Sequence, residues 1–168
     1  MSSHSGDVTS DLTLLGSGKG ANPSGGPAAS ILEAFPNRHP GRFYVISLSF
    51  PEFTSLCPVT GQPDFGTIVV DYIPGERCVE SKSFKLYMFA FRSHQSFMET
   101  ITNQVLDDLV SVLSPRWCRV KGLFSPRGGT RIQVFAEYFL PVTAGGESEA
   151  AAVREVVGEW KREARPLV

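Results

Sequence analysis

Four stretches of the chain concentrate β-branched and aromatic residues, which is the usual composition of strands. They cover residues 42–50, 66–73, 118–124 and 130–139. The last of them alternates most regularly, because every second position is occupied by an apolar or aromatic residue: Ile132, Val134, Ala136 and Tyr138. Because successive residues of a strand point to opposite faces, the pattern predicts a sheet with one buried face.

Two stretches between the second and third strands repeat their apolar residues every three or four positions, which predicts helices. The first covers residues 81–92 and the second residues 97–113. Ser96, three residues before Glu99, fits a capping box at the start of the second helix, and Pro115 lies just beyond its end. The charged, alanine- and valine-rich tail predicts a further helix over residues 148–162.

The predicted order of elements is strand, strand, helix, helix, strand, strand. This order favours an α+β architecture, in which two helices cover one face of a four-stranded antiparallel sheet. The sheet would belong to a domain over residues 31–142, followed by a helical tail over 143–168. Because a small sheet leaves two unpaired edges, joining subunits edge to edge is one way to cover them, so we expect an oligomer.

Residues 1–30 are rich in Gly, Ser and Pro, apart from the apolar residues 12–15, and this composition predicts a flexible arm. The arm contains Gly16-Ser17-Gly18-Lys19-Gly20, which is superficially similar to a phosphate-binding loop. The full spacing of such a loop is missing, so a linker is the better interpretation.

Charge and composition exclude several classes of protein. A formal charge of -1 gives no reason to expect a partner such as nucleic acid or an acidic membrane, because both require a basic surplus. The sequence has neither an apolar run of membrane-spanning length nor a signal peptide, so we expect a cytoplasmic protein. Three widely spaced cysteines without a CxxC pair make a disulfide framework or a structural zinc site unexpected.

Residues 51–65 contain three prolines and a glycine, which predicts a long loop between the first two strands. Cys57 lies in this loop, and Asp64 follows seven residues later. The pair could supply a nucleophile and an acid–base group. Cys57 could equally be a small buried hydrophobe and Asp64 a turn residue, and the spacing alone leaves both interpretations open.

Three motifs in the same order resemble those of the QueF family of nitrile reductases. They are residues 52–65, residues 80–85 (Glu-Ser-Lys-Ser-Phe-Lys) and residues 125–129 (Ser-Pro-Arg-Gly-Gly). Residues 13–16 and 32–37 are also similar, so that the resemblance extends from about residue 12 to about 140. The short chain resembles the single-module subfamily.

The resemblance implies that NADPH reduces the nitrile of 7-cyano-7-deazaguanine to an aminomethyl group, a step of queuosine biosynthesis. Cys57 matches the nucleophile that forms a covalent thioimide, and Asp64 matches the proton donor. A thiolate of lowered pKa suits the first role, and a positioned carboxyl suits the second.

Further positions match residues that bind the substrate or the cofactor. For the substrate they are Val79, Glu80, Ser81 and Glu99, together with the position that Met98 occupies. For NADPH they are Ser81, Lys82, Arg127 and Gly128. A carboxylate such as that of Glu99 can accept two hydrogen bonds from a guanine-like edge, although Glu99 could instead serve the capping box with Ser96.

Met98 departs from the family pattern, in which a histidine precedes the substrate-binding glutamate. A thioether neither donates a hydrogen bond nor carries charge. The role of that histidine is therefore dispensable here, is taken by His94 one helical turn earlier, or is lost with a change in affinity or pH response.

The resemblance further implies the tunnelling fold and a decamer of two stacked pentamers, in which Glu99 and Cys57 meet across a subunit interface. Two other enzymes remain as alternatives, a zinc-dependent cyclohydrolase and a QueF-like amidinotransferase that uses ammonia. The first lacks evident ligands, and the NADPH motif disfavours the second. A non-catalytic ring-forming protein is disfavoured by the presence of Cys57 and Asp64.

Overall fold

The computed structural model of this protein describes residues 25–163. Three features of the predicted arm lie outside these residues: the apolar stretch 12–15, the motif 13–16 and the loop-like segment 16–20. Within the described part of the arm, the carbonyl oxygen of Pro27 accepts a hydrogen bond from Gln104 in the second long helix, at 3.3 Å.

The described residues form six strands and three α-helices. In chain order they are β1 (Ala34–Pro36), β2 (Ile46–Leu56), β3 (Pro63–Ile73), β4 (Arg77–Val79), α1 (Ser81–Ala90), α2 (Met98–Leu113), β5 (Trp117–Phe124), β6 (Gln133–Phe139) and α3 (Glu147–Glu163). The four predicted strands and three predicted helices are all present, with ends that differ by a few residues.

The main sheet has the order β2-β3-β5-β6, and each neighbouring pair is antiparallel. The two short strands β1 and β4 pair separately. Three residues are too few to show a period, which is why these strands were not predicted. The architecture is α+β.

The prediction of a long loop over residues 51–65 is wrong. β2 continues to Leu56 and β3 begins at Pro63, so only residues 57–62 connect them. The prolines are placed where a strand tolerates them. Pro51 lies on an edge strand where the register shifts between Phe50 and Phe53, and Pro63 is the first residue of its strand.

The main core lies between the sheet and the two helices α1 and α2. Ile68, Val70 and Tyr72 of β3 pack there with Val105 and Leu109 of α2. The intervening β3 residues face the other way, as the alternation of a strand requires. On that second face, a smaller cluster joins the sheet to α3; its buried members are Ile73, Trp117, Val153 and Val157.

The predicted capping box at the start of α2 is absent. Phe97 occupies the cap position, and no side chain caps the helix. The backbone N–H of Ser96 instead donates to the carbonyl oxygen of Leu56, at 3.1 Å, which draws Ser96 towards β2. The predicted end of α2 is confirmed, because the helix ends at Leu113 and Ser114 adopts a left-handed conformation with φ of 45°.

Candidate active site

Cys57 is the first residue of the short connection between β2 and β3. Its backbone N–H donates to the carbonyl oxygen of Gln62, at 2.8 Å, and its carbonyl oxygen accepts from the N–H of Gly61, at 2.9 Å. Gly61 has a φ of 69°, a conformation that glycine adopts without strain. The loop is therefore closed by its own backbone, and it holds Cys57 half-buried at the end of a long strand.

The residue before Cys57 is bonded to the segment that joins α1 to α2. The N–H of Leu56 donates to the carbonyl oxygen of His94 at 3.0 Å, and its carbonyl oxygen accepts from Ser96. The backbone N–H and C=O groups of Leu56, which point away from β3, are thus both hydrogen-bonded. This pairing brings the start of α2 alongside the Cys57 loop.

The Cys57 thiol is the acidic one among the three cysteines. Hydrogen bonds from the Thr60 side chain and from the backbone N–H groups of Thr60 and Val59 lower its pKa to about 7, and Arg127 contributes in the same direction. Burial has the opposite effect on the others, since it raises the pKa of Cys118 to about 12 and also raises that of Cys78. A large share of Cys57 is therefore thiolate at neutral pH.

Asp64 lies on β3 with its side chain on the helix-covered face, and only 3% of it is exposed. A carboxylate so deeply buried requires a partner. Arg127 supplies it, since Nη1 donates to Oδ1 of Asp64. Nη2 of the same guanidinium donates to the side-chain oxygen of Gln62, at 3.2 Å. Arg127 therefore links the Asp64 carboxylate to the loop that carries Cys57.

Arg127 begins the hairpin turn between β5 and β6. Its backbone pairs with Thr130 through two hydrogen bonds of 2.9 Å each. The two central residues, Gly128 and Gly129, have φ values of 55° and 80°. Positive φ at both positions is the signature of a type I′ turn, which glycine favours. The sequence Arg-Gly-Gly thus fixes a tight turn that holds Arg127 over Asp64.

Val79 and Glu80 lie elsewhere, where β4 leads into α1, and both are buried. The N–H of Val79 donates to the hydroxyl of Tyr72, at 3.1 Å. The Glu80 carboxylate accepts from the backbone N–H groups of Lys82 at 2.8 Å and Ser83 at 2.7 Å, so it caps α1. Ser81 is exposed and Lys82 half-buried.

Met98 and Glu99 begin α2 with different surroundings. Met98 is 8% exposed and belongs to the main core. Glu99 is exposed in the first turn of the helix, and its capping role with Ser96 is not present. His94 is half-buried and its ring lies edge-on to that of Phe91, at 5.9 Å between centroids.

The structure thus joins three of the predicted site residues directly, namely Cys57, Asp64 and Arg127. Sequence reasoning missed two further members of this group, Thr60 and Gln62. Both are polar residues of the loop itself, so the available signal was their position between Cys57 and Asp64. The ion pair between Asp64 and Arg127 had no sequence signal, because 62 residues separate the two partners along the chain.

Three further findings concern the groove beside this group and the described residues as a whole. An open groove beside this group is lined by residues that include Phe65, Ser125, Pro126 and Arg131, but not by Cys57. Within residues 25–163, no group of three His, Cys, Asp or Glu side chains could hold a metal ion. None of the helices in the same range has the length and apolar character needed to cross a bilayer.

Comparison with solved structures identifies a relative in fold. A crystal structure of the archaeosine synthase QueF-Like in the apo form superposes with a TM-score of 0.53 and 22% sequence identity, covering 59% of this chain and 96% of that one. At this identity the similarity concerns the fold alone.

Comparison of sequences identifies the family. The model for QueF-like proteins matches residues 63–141. Proteins named NADPH-dependent 7-cyano-7-deazaguanine reductase are 66% identical in Desulfovibrio desulfuricans, over 99% of this chain and 98% of theirs, and 63% identical in Nitratidesulfovibrio vulgaris, over 97% and 96%. The Bacillus subtilis protein of the same name is 49% identical over 79% of each chain. The chain therefore belongs to the QueF family, that of the proteins named NADPH-dependent 7-cyano-7-deazaguanine reductase.

Proposed function

We propose that this protein uses NADPH to reduce 7-cyano-7-deazaguanine, as the names of its relatives state for them, and that the nitrile becomes an aminomethyl group. The observation that carries the proposal is the contact of Cys57, whose pKa is lowered to about 7, with the Arg127 guanidinium that also binds Asp64. One cation thus holds together a nucleophile and an acid–base group, the two groups that addition to a polar triple bond requires.

Cys57 is the proposed nucleophile. Its thiolate attacks the nitrile carbon, so that a carbon–sulfur bond forms while one π bond of the nitrile breaks towards nitrogen. Thr60 and Arg127, which stabilise the thiolate, keep it available at neutral pH. The product of the addition is a thioimide held on Cys57.

Asp64 is the proposed proton donor to the nitrile nitrogen. In the structure Oδ1 of Asp64 accepts from the Arg127 guanidinium, so this oxygen cannot turn towards a substrate while the contact lasts. Arg127 therefore has to move away from Asp64 before the proton is delivered.

NADPH supplies the hydrides, and two molecules of it are consumed for each nitrile that becomes an amine. The residues proposed to hold it are Ser81, Lys82, Arg127 and Gly128. Gly128 suits this role because no atom lies within 4 Å of the place where its Cβ would be, which leaves the backbone open to a ligand. The first amides of α1 are already bonded to Glu80, so side chains would bind the cofactor's anionic groups.

The proposed substrate residues are Val79, Glu80, Ser81, Met98 and Glu99. Glu99 fits this role best, because its carboxylate is exposed and no longer needed for a capping box. For Glu80 the role competes with its capping of α1, and Met98 offers little exposed surface.

A second subunit is proposed to complete the site. The fold fits the tunnelling fold, whose sheets join edge to edge, and β2 and β6 are the edge strands of the described sheet. A decamer of two pentamers, in which Glu99 meets the Cys57 of a neighbour, and a cytoplasmic location stay predictions of the family resemblance.

The decisive experiment follows NADPH oxidation with and without 7-cyano-7-deazaguanine. We expect two NADPH per substrate and a primary amine as the product. Without NADPH, the intact mass should rise by one substrate per subunit, and the Cys57→Ala variant should show no rise. An adduct retained in that variant would contradict the role of Cys57. An amidine formed with ammonia, and no oxidation of NADPH, would instead identify an amidinotransferase.

A further inference from the structure

Ser55 carries a buried hydroxyl that none of the contacts described so far uses. The residue lies on β2, two positions before Cys57, and none of its surface is exposed. Among residues 25–163, its Oγ is one of the few buried side-chain oxygen or nitrogen atoms without a hydrogen-bond partner. Burying a hydroxyl without a partner opposes folding, so its presence here calls for a physical reason.

The position of Ser55 supplies that reason. In the pairing of β2 with β3, Ser55 lies directly opposite Asp64. Both side chains point to the face that carries Phe53, since residues two apart on a strand share a face. Side chains of directly opposed residues have Cβ atoms about 4.5–5.5 Å apart, so a rotation of either side chain can bring the hydroxyl to the carboxyl.

We propose, on the basis of the proposed reductase function, that Ser55 is a positioning residue for Asp64. When Arg127 leaves Asp64, the Ser55 hydroxyl donates a hydrogen bond to the carboxyl oxygen that does not carry the proton. The acidic proton then stays on the other oxygen, which faces the nitrile nitrogen. Once Asp64 has given up this proton, the same hydrogen bond stabilises the carboxylate that remains.

A second buried serine shows what a purely structural hydroxyl looks like in this molecule. Ser83 is also fully buried, but its Oγ accepts from the N–H of Glu33 at 2.9 Å and donates to the carbonyl oxygen of Glu80 at 2.8 Å. Removing the Ser83 hydroxyl should therefore destabilise the fold. Removing that of Ser55 should not, because no hydrogen bond is lost.

The test compares Ser55→Ala with the wild-type protein in three measurements without NADPH: thermal unfolding, the rate of the covalent adduct with 7-cyano-7-deazaguanine, and the rate of alkylation by iodoacetamide. We expect an unfolding temperature at or above that of the wild type, whereas Ser83→Ala lowers it. The adduct should form about tenfold more slowly, as the loss of a hydrogen bond to a charged group predicts. Alkylation, which needs the thiolate but no acid, should keep its rate.

A double-mutant cycle with Asp64→Asn then separates positioning from other effects. If Ser55 acts through Asp64, adding Ser55→Ala to Asp64→Asn slows the adduct no further. The proposal is overturned if Ser55→Ala forms the adduct at the wild-type rate, unfolds at a lower temperature, slows alkylation equally, or slows the Asp64→Asn protein as well. A wild-type protein that forms no adduct at all would instead overturn the proposed function.

Discussion

At the scale of single residues, the three cysteines show how surroundings decide the chemistry of one functional group. Cys78 and Cys118 are buried, and burial disfavours their thiolates by removing them from water. Cys57 is half-buried at a loop where N–H and O–H donors converge on its sulfur, and those donors favour the thiolate. This difference in thiol pKa arises from the six loop residues 57–62 and from Arg127, which belongs to the hairpin between β5 and β6.

The pH dependence of alkylation tests this difference. The thiolate fraction rises with pH through the pKa, so iodoacetamide should label Cys57 with a rate that is half-maximal near pH 7. In a Thr60→Val variant the pKa rises, and the midpoint should move to higher pH. Intact mass spectrometry of Cys57→Ala is the control, because Cys78 and Cys118 should stay unlabelled. A midpoint above pH 8 in the wild type would contradict the lowered pKa.

The structure alters what we predict for a substitution at Met98. If the family's histidine contacts the substrate, restoring it at position 98 would improve turnover or affinity. Since Met98 packs in the main core, Met98→His buries an imidazole among apolar side chains. Without a partner, this polar group should lower the free energy of unfolding by about 1–3 kcal/mol above pH 7.

Urea denaturation of Met98→His and of the control Met98→Leu measures this cost. The control conserves volume and should lose less than about 1.5 kcal/mol. A Met98→His protein as stable as the wild type, with faster turnover, would show that the histidine finds a partner in the site.

At the scale of elements, the density of β-branched and aromatic residues predicted the four long strands. Periodic apolar residues predicted α1 and α2, and the composition of the tail predicted α3. Prolines misled the prediction between β2 and β3, because a bulged edge position and a strand's first residue both accept proline. The capping box failed because Ser96 pairs with Leu56, a tertiary contact that local sequence does not reveal. Cys57, Asp64 and Arg127 were named through family motifs, but their mutual contact depends on which strands become neighbours.

The turn between β5 and β6 is the element that places Arg127, and its second glycine can be tested. Gly129 has a φ of 80°, so Gly129→Ala should cost about 1 kcal/mol of stability and loosen the hold of Arg127 on Asp64. Gly41→Ala is the matched control, because φ there is not positive and a Cβ would meet no atom within 4 Å. Thermal unfolding measures both variants. Equal effects at the two glycines would argue against the assigned turn.

At the scale of the whole molecule, the sheet has two open edges and two unlike faces. Helices α1 and α2 cover one face, and α3 covers part of the other. Glu99 lies in the first turn of α2, whose start lies alongside the Cys57 loop of the same chain. Two sites are therefore open to Glu99, the one beside it in its own chain and the one of a neighbouring subunit across a sheet edge.

Mixing inactive variants tests whether the site is shared. Subunits carrying Cys57→Ala and Glu99→Ala, refolded together, should regain turnover if each site takes these two residues from different chains. A mixture of Cys57→Ala with Asp64→Asn should stay inactive, because both residues contact the same Arg127 of one chain. NADPH oxidation measures both mixtures. No recovery in the first mixture would place Cys57 and Glu99 in the same subunit's site.

The backbone pairing of Leu56 with His94 and Ser96 has a consequence for how the chain tolerates insertions and deletions. Connections between helices usually vary in length, since they lie at the surface. Here the connection between α1 and α2 is in register with the residue before Cys57, and adding or removing one residue would shift that register by one position. A duplicated or lost codon in residues 92–97 would therefore displace Cys57, the proposed nucleophile.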